Sequence, residues 1–98
     1  MPVDLLKVLL LDSNNYEQRK VGRDVVGDYT ISTCYTSDCG YETAIWKGDG
    51  NIIVVQYYPD KEEAKKGHIR WCGLCKMNPT KVYNVQQDRW ETFDTRRF

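Results

Sequence analysis

Ninety-eight residues, 41% hydrophobic and 29% charged, make one domain with a modest core and are too apolar for intrinsic disorder. Fourteen Lys and Arg offset fourteen Asp and Glu. The formal net charge is therefore zero, which argues against a strong nucleic-acid field. No stretch approaches the roughly 20 apolar residues of a membrane span.

The N-terminal segment, residues 1–17, is the hardest to place. "LLKVLLL" (5–11) follows an acidic Asp4 and lacks the basic flank and cleavage site of a signal peptide, so it reads as core structure, helix or buried strand. A cytoplasmic protein is expected, with its four cysteines kept as thiols. "LDSNNYE" (11–17) carries turn-forming residues and reads as a loop.

Residues 18–58 read as an antiparallel meander. "QRKVGRDVV" (18–26) sets Val21 and Val25 on one face, with Arg19 and Arg23 interspersed, as in a half-exposed strand. Gly27-Asp28 suits a two-residue hairpin turn. In "YTISTCYT" (29–36), Tyr29, Ile31, Thr33 and Tyr35 share one side, and Thr30, Ser32, Cys34 and Thr36 the other. "SDCG" and "GDGN" are turns around a third strand, "YETAIWK" (41–47), and "IIVVQYY" (52–58) is a fourth, more buried one.

The period then changes. Asp60 with Glu63 three residues on is a capping-box variant, opening a helix over 60–76. Glu62 and Lys66 form an i,i+4 pair. Ala64, His68, Trp71, Cys72 and Cys75 make a stripe for packing on the sheet, although Gly73 threatens to end the helix early. "NPT" (78–80) stops it. Residues 81–98 read as a strand or arm at 81–86 followed by a loosely held tail. The fold class is thus α+β, a single domain with about four antiparallel strands packed against one helix.

The order "RKVGRDVVGDYTISTCYTSD", "YETAIW", "EEAKKGH" resembles a group of small phage and prophage proteins over roughly residues 18–72. Those run a basic strand and a "VSTV"-like strand into an Asp-containing turn, then an "ETM.F"-like strand and an "EEA..GH" helix. This chain differs in carrying Cys39 after Asp38 where relatives often have His, and in a shorter segment before Tyr41. The resemblance implies a sheet-plus-helix fold and a phage accessory context, without a reaction.

"RWCGLCKM" invites comparison with the CxxC run of thioredoxins, where a helix N-terminus depresses a thiol pKa. Here the pair stands at the C-terminal end of a helix, where the dipole raises a thiol pKa instead of lowering it. Thiol-disulfide exchange is accordingly the least supported reading, and the local likeness is coincidental. Zinc is the stronger chemical alternative. Cys34 and Cys39, with Cys72 and Cys75, offer C-x4-C and C-x2-C pairs, while His68, Cys72 and Cys75 stand on one helical face. Packing of buried cysteines on an amphipathic helix explains the same spacing.

Catalytic signatures are sparse. The single histidine, His68, belongs on the sheet-facing stripe, where a hydrogen-bonded core residue is commoner than a general base. Asp38 and Glu42 straddle a turn as a candidate carboxylate pair. Tyr35, Tyr41, Trp46, Tyr57 and Tyr58 place rings on both sheet faces, which suits binding. The reading is a binder without a resident cofactor, acting in host takeover or against a host defence. Its partner is either a host defence protein or a nucleotide second messenger sequestered by stacking on Tyr35, Trp46 and Tyr57. The nucleotide pocket would lie between subunits, with Arg19, Arg23 or Arg70 meeting phosphate, and Asp38 and Glu42 belong to the same candidate set for ligand or partner binding. A homo-oligomer is compatible with this arrangement.

Overall fold

A computed structural model describes residues 20–37 and 40–93. The expectations for residues 1–19, Asp38, Cys39 and 94–98 lie outside the described residues.

Four strands form one antiparallel sheet in chain order: β1 (Lys20–Val26), β2 (Tyr29–Thr36), β3 (Gly40–Lys47) and β4 (Ile53–Tyr58). Gly27-Asp28 makes the two-residue turn between β1 and β2, pairing Val26 with Tyr29. Alternation then sorts the side chains. Tyr29, Ile31 and Thr33 of β2 lie opposite Lys47, Ile45 and Thr43 of β3, and this face is buried. Thr30, Ser32 and Cys34 lie opposite Trp46, Ala44 and Glu42 on the other face. An irregularity at Val21 lets Lys20 pair with Cys34 while Gly22 pairs with Thr33. The inward residues of β1 are therefore Gly22, Asp24 and Val26 rather than the Val21–Val25 set. Val25 is 70% exposed.

Helix α1 (Lys61–Cys75) packs on the inward face and touches all four strands. Asp60 caps it, its Oδ1 accepting from the Glu63 amide at 2.9 Å. Gly73 does not end the helix, which runs through to Cys75. The exposed ion pairs are Glu62–Lys65 and Glu63–Lys66 rather than Glu62–Lys66. Ala64, Gly67, His68 and Cys75 are its buried residues. Gly67 is required by packing, because a Cβ there would sit 2.2 Å from the Tyr58 ring.

Over residues 88–93 the expectation of a loose tail fails. β5 (Lys81–Asn84) and β6 (Arg89–Thr92) pair as a hairpin, with Tyr83 opposite Trp90 and their rings edge-to-face at 5.6 Å. Asn84 holds the four-residue connection, its Oδ1 accepting from the Gln86 and Gln87 amides. Val85 donates to the Val54 carbonyl at 2.9 Å, which ties the hairpin to β4. Phe93 is buried edge-on against Tyr29, with ring centroids 5.2 Å apart. The core accordingly unites Tyr29, Ile31, Ile45, Ile53, Val55, Cys75, Val82 and Phe93. Sheet, helix and hairpin share one interior.

Candidate functional site

A chain of hydrogen bonds crosses the inward face of the sheet. It starts at Asp24 on β1, whose Oδ2 lies 2.7 Å from His68 Nε2. His68 Nδ1 is 2.7 Å from Thr33 Oγ1, which is 2.6 Å from Thr43 Oγ1. Thr43 Oγ1 is in turn 2.8 Å from the Tyr58 hydroxyl. One residue from each strand of the four-stranded sheet thus joins one from the helix. Thr33 and Thr43 are fully buried, and His68 is buried as well. Room for the imidazole comes from Gly22, where a Cβ would stand 2.8 Å from the ring.

This arrangement follows from strand periodicity. Thr33 and Thr43 are cross-strand partners on the core face, so two hydroxyls otherwise destined for an apolar layer satisfy each other. Asp24 shares that face, although its side chain is 60% exposed and opens to water. With Asp24 ionised, a neutral His68 donates from Nε2–H to the carboxylate and accepts at Nδ1 from Thr33. Burial raises the Tyr58 hydroxyl pKa, an effect the Thr43 hydrogen bond partly offsets. Among the described residues, every buried side-chain nitrogen or oxygen has a partner. Trp71 Nε1 and Arg70 donate to Gln56 Oε1 at 2.8 and 3.0 Å, closing the layer over β4.

At the outer end of the chain stands Cys72, one helical turn beyond His68. Its Sγ is 3.8 Å from Asp24 Oδ2, and ligand atoms of Asp24, His68 and Cys72 all lie within 4.8 Å of one another. They line an open groove of about 450 Å³ between β1 and α1, bounded also by Val25, Val26, Ile69, Gly73 and Lys76. Burial raises the Cys72 thiol pKa, and the Asp24 carboxylate raises it further, against a smaller lowering by Lys76. Cys75 does not share the groove. It belongs to the core, where burial and then Cys72 push its pKa up to about 11. Neither thiol has the depressed pKa that a dithiol exchanger needs.

The remaining candidates separate. Cys34 pairs with Glu42 on the face of the sheet away from α1, so it does not meet Cys72 or Cys75, and Cys39 lies outside the described residues. Tyr35 and Tyr41 stack edge-to-face at 5.1 Å on the helix side, as cross-strand partners. Trp46, Tyr57 and Glu42 lie on the opposite side. Arg23 sits over the Trp46 ring at 5.4 Å, and burial raises the Glu42 pKa. Arg70 reaches Gln56 across β4, at the other edge and on the other face from Arg23. The two arginines cannot meet one phosphate within a single chain.

Asp24, Thr33 and Thr43 are the site residues that sequence reasoning passed over. Thr33 carried a signal, as a hydroxyl alternating with Tyr29 and Ile31 on the apolar side of its strand. Asp24 carried less, because its direction depends on register.

Fold and groove together define a small sheet-and-helix domain with an acid–imidazole–thiol cluster at its edge. Comparison with protein-family models, with curated proteins and with solved structures finds no match. No helix among the described residues is long and apolar enough to cross a membrane.

Proposed function

We propose that this is a small phage-encoded accessory protein that acts by binding, in host takeover or against a host defence, and that it engages a protein partner at the groove between β1 and α1. One observation carries the reading. Val25 and Ile69, 70% and 72% exposed, flank a polar floor of Asp24, His68 and Cys72. Exposed apolar side chains around a few convergent polar groups are the composition of a recognition surface. The hydroxyls of Thr33, Thr43 and Tyr58 support binding over catalysis, since each is buried and already engaged. The phage context rests on the sequence resemblance.

The test is co-purification of the tagged chain from its host, wild type beside Val25→Asp and Ile69→Asp. A host protein held stoichiometrically by wild type and released by both variants is the expected result. Equal retention by the variants overturns the groove as the binding surface. Calorimetry against a panel of cyclic and ADP-ribose-type nucleotides completes the test. Flat heats are expected, and saturable binding would replace the protein partner with the nucleotide.

A further inference from the structure

We infer that Asp24, His68 and Cys72 bind one divalent ion of the zinc type, with a fourth coordination position open to the groove. The donor set is one imidazole nitrogen, one thiol sulfur and one carboxylate oxygen, gathered within 4.8 Å. Imidazole and thiolate together select zinc or cobalt over magnesium and calcium, which want oxygen alone. Metal–ligand bonds of about 2.0–2.3 Å place the ligand atoms of a tetrahedral site roughly 3–4 Å apart. The Cys72–Asp24 separation of 3.8 Å already falls in that range. The 2.7 Å between His68 and Asp24 is a hydrogen bond, which the exposed Asp24 carboxylate can open by rotating.

The surroundings suit an ion in three further respects. His68 and Cys72 stand one turn apart on the same helical face, so α1 sets two ligands rigidly and β1 brings the third. The far nitrogen of His68 is held by Thr33, as the second nitrogen of a metal-bound histidine is usually held. Behind Thr33 come only hydroxyls, each able to turn its hydrogen either way. On metal binding, the imidazole stays neutral while its proton moves from Nε2 to Nδ1 and is donated to Thr33. The Cys72 thiol gives its proton to solvent. Without a cation, a Cys72 thiolate and the Asp24 carboxylate would repel; a divalent ion between them turns that repulsion into shared ligation.

The test uses the whole chain, stripped with chelator and titrated with Zn²⁺ by calorimetry and with Co²⁺ by absorption. The expected result is one ion per chain and a thiolate-to-cobalt absorption band. Cys72→Ser should abolish that band, and Asp24→Asn should weaken binding by about tenfold or more. Cys34→Ser, on the other sheet face, should leave both unchanged. Thr33→Val should weaken binding by roughly 10- to 100-fold, the usual cost of losing a ligand's outer support. Circular dichroism verifies that each variant is folded. If Cys72→Ser does not fold, the exposed Asp24→Asn decides. A folded wild type that takes up no Zn²⁺ overturns the site. So does affinity undiminished in Cys72→Ser or Asp24→Asn, or lost equally in Cys34→Ser. Because metal alone is the probe, this outcome is independent of whether a protein partner binds the groove.

Discussion

His68 Nε2 lies 2.7 Å from Asp24 Oδ2 across 44 residues of chain, joining the middle of the helix to an edge strand. The same ring is pinned at Nδ1 by Thr33, so two bonds fix its orientation. Thr33→Val keeps the side-chain shape, strands His68 Nδ1 in a buried layer and leaves the Thr43 hydroxyl with Tyr58 as its one remaining partner. The expected loss is about 1–3 kcal/mol of folding free energy, measured by urea denaturation. Thr43→Val breaks the same chain, so the double variant should lose less than the sum of the two single losses. Strict additivity would mean that the hydroxyls act separately.

Two helix glycines should respond in opposite directions to alanine. A Cβ at Gly67 would meet the Tyr58 ring at 2.2 Å, so Gly67→Ala must displace the ring and disturb its bond to Thr43. A loss of about 1–3 kcal/mol is expected from overpacking. A Cβ at Gly73 would touch nothing within 4 Å. Gly73→Ala should therefore stabilise the helix by up to about 1 kcal/mol. Thermal melts of the two variants provide the measurement, and shifts of the same sign would contradict the packing described.

Phe93 tests whether the C-terminal hairpin belongs to the core. Its ring is buried against Tyr29, and its amide donates to the Thr80 carbonyl at 3.1 Å. Phe93→Ala should cost about 3–5 kcal/mol, the range for an aromatic truncated in a packed interior. Chemical denaturation with no change in midpoint would show that the hairpin is not integrated.

Cys75 links stability to alkaline pH. Its thiol pKa rises from 9.0 to about 11 on folding, through burial and then the neighbouring Cys72. The folded state thus holds its proton more tightly than the unfolded chain. The associated stability is complete below pH 9 and is lost as pH climbs towards 11. Cys75→Ala should flatten that alkaline decline relative to wild type. At neutral pH, iodoacetamide should modify Cys75 only after unfolding; rapid native labelling would place the thiol elsewhere.

Much of the architecture was legible along the chain, because alternation and helical spacing are local consequences of backbone geometry. The inward run of Tyr29, Ile31 and Thr33 follows from strand pleat alone. The Asp60 cap follows as directly, since donor and acceptor are three residues apart. The β5–β6 hairpin escaped because its strands are only four residues long and its turn is held by the Asn84 side chain, not by a glycine signal.

The site was legible only in pieces. His68 and Cys72 share a helical face by spacing, but whether Cys75 continues that set or enters the core depends on what the helix packs against. Tyr29 and Phe93 supply that partner layer. Asp24 is the sharpest case. Strand registration turns it toward the helix and leaves Lys20 facing the other way. Periodicity within each element was therefore determined by the sequence itself. The meeting of Asp24 with His68 and Cys72 was decided only by the tertiary structure, because contact between distant residues depends on the register and docking of whole elements.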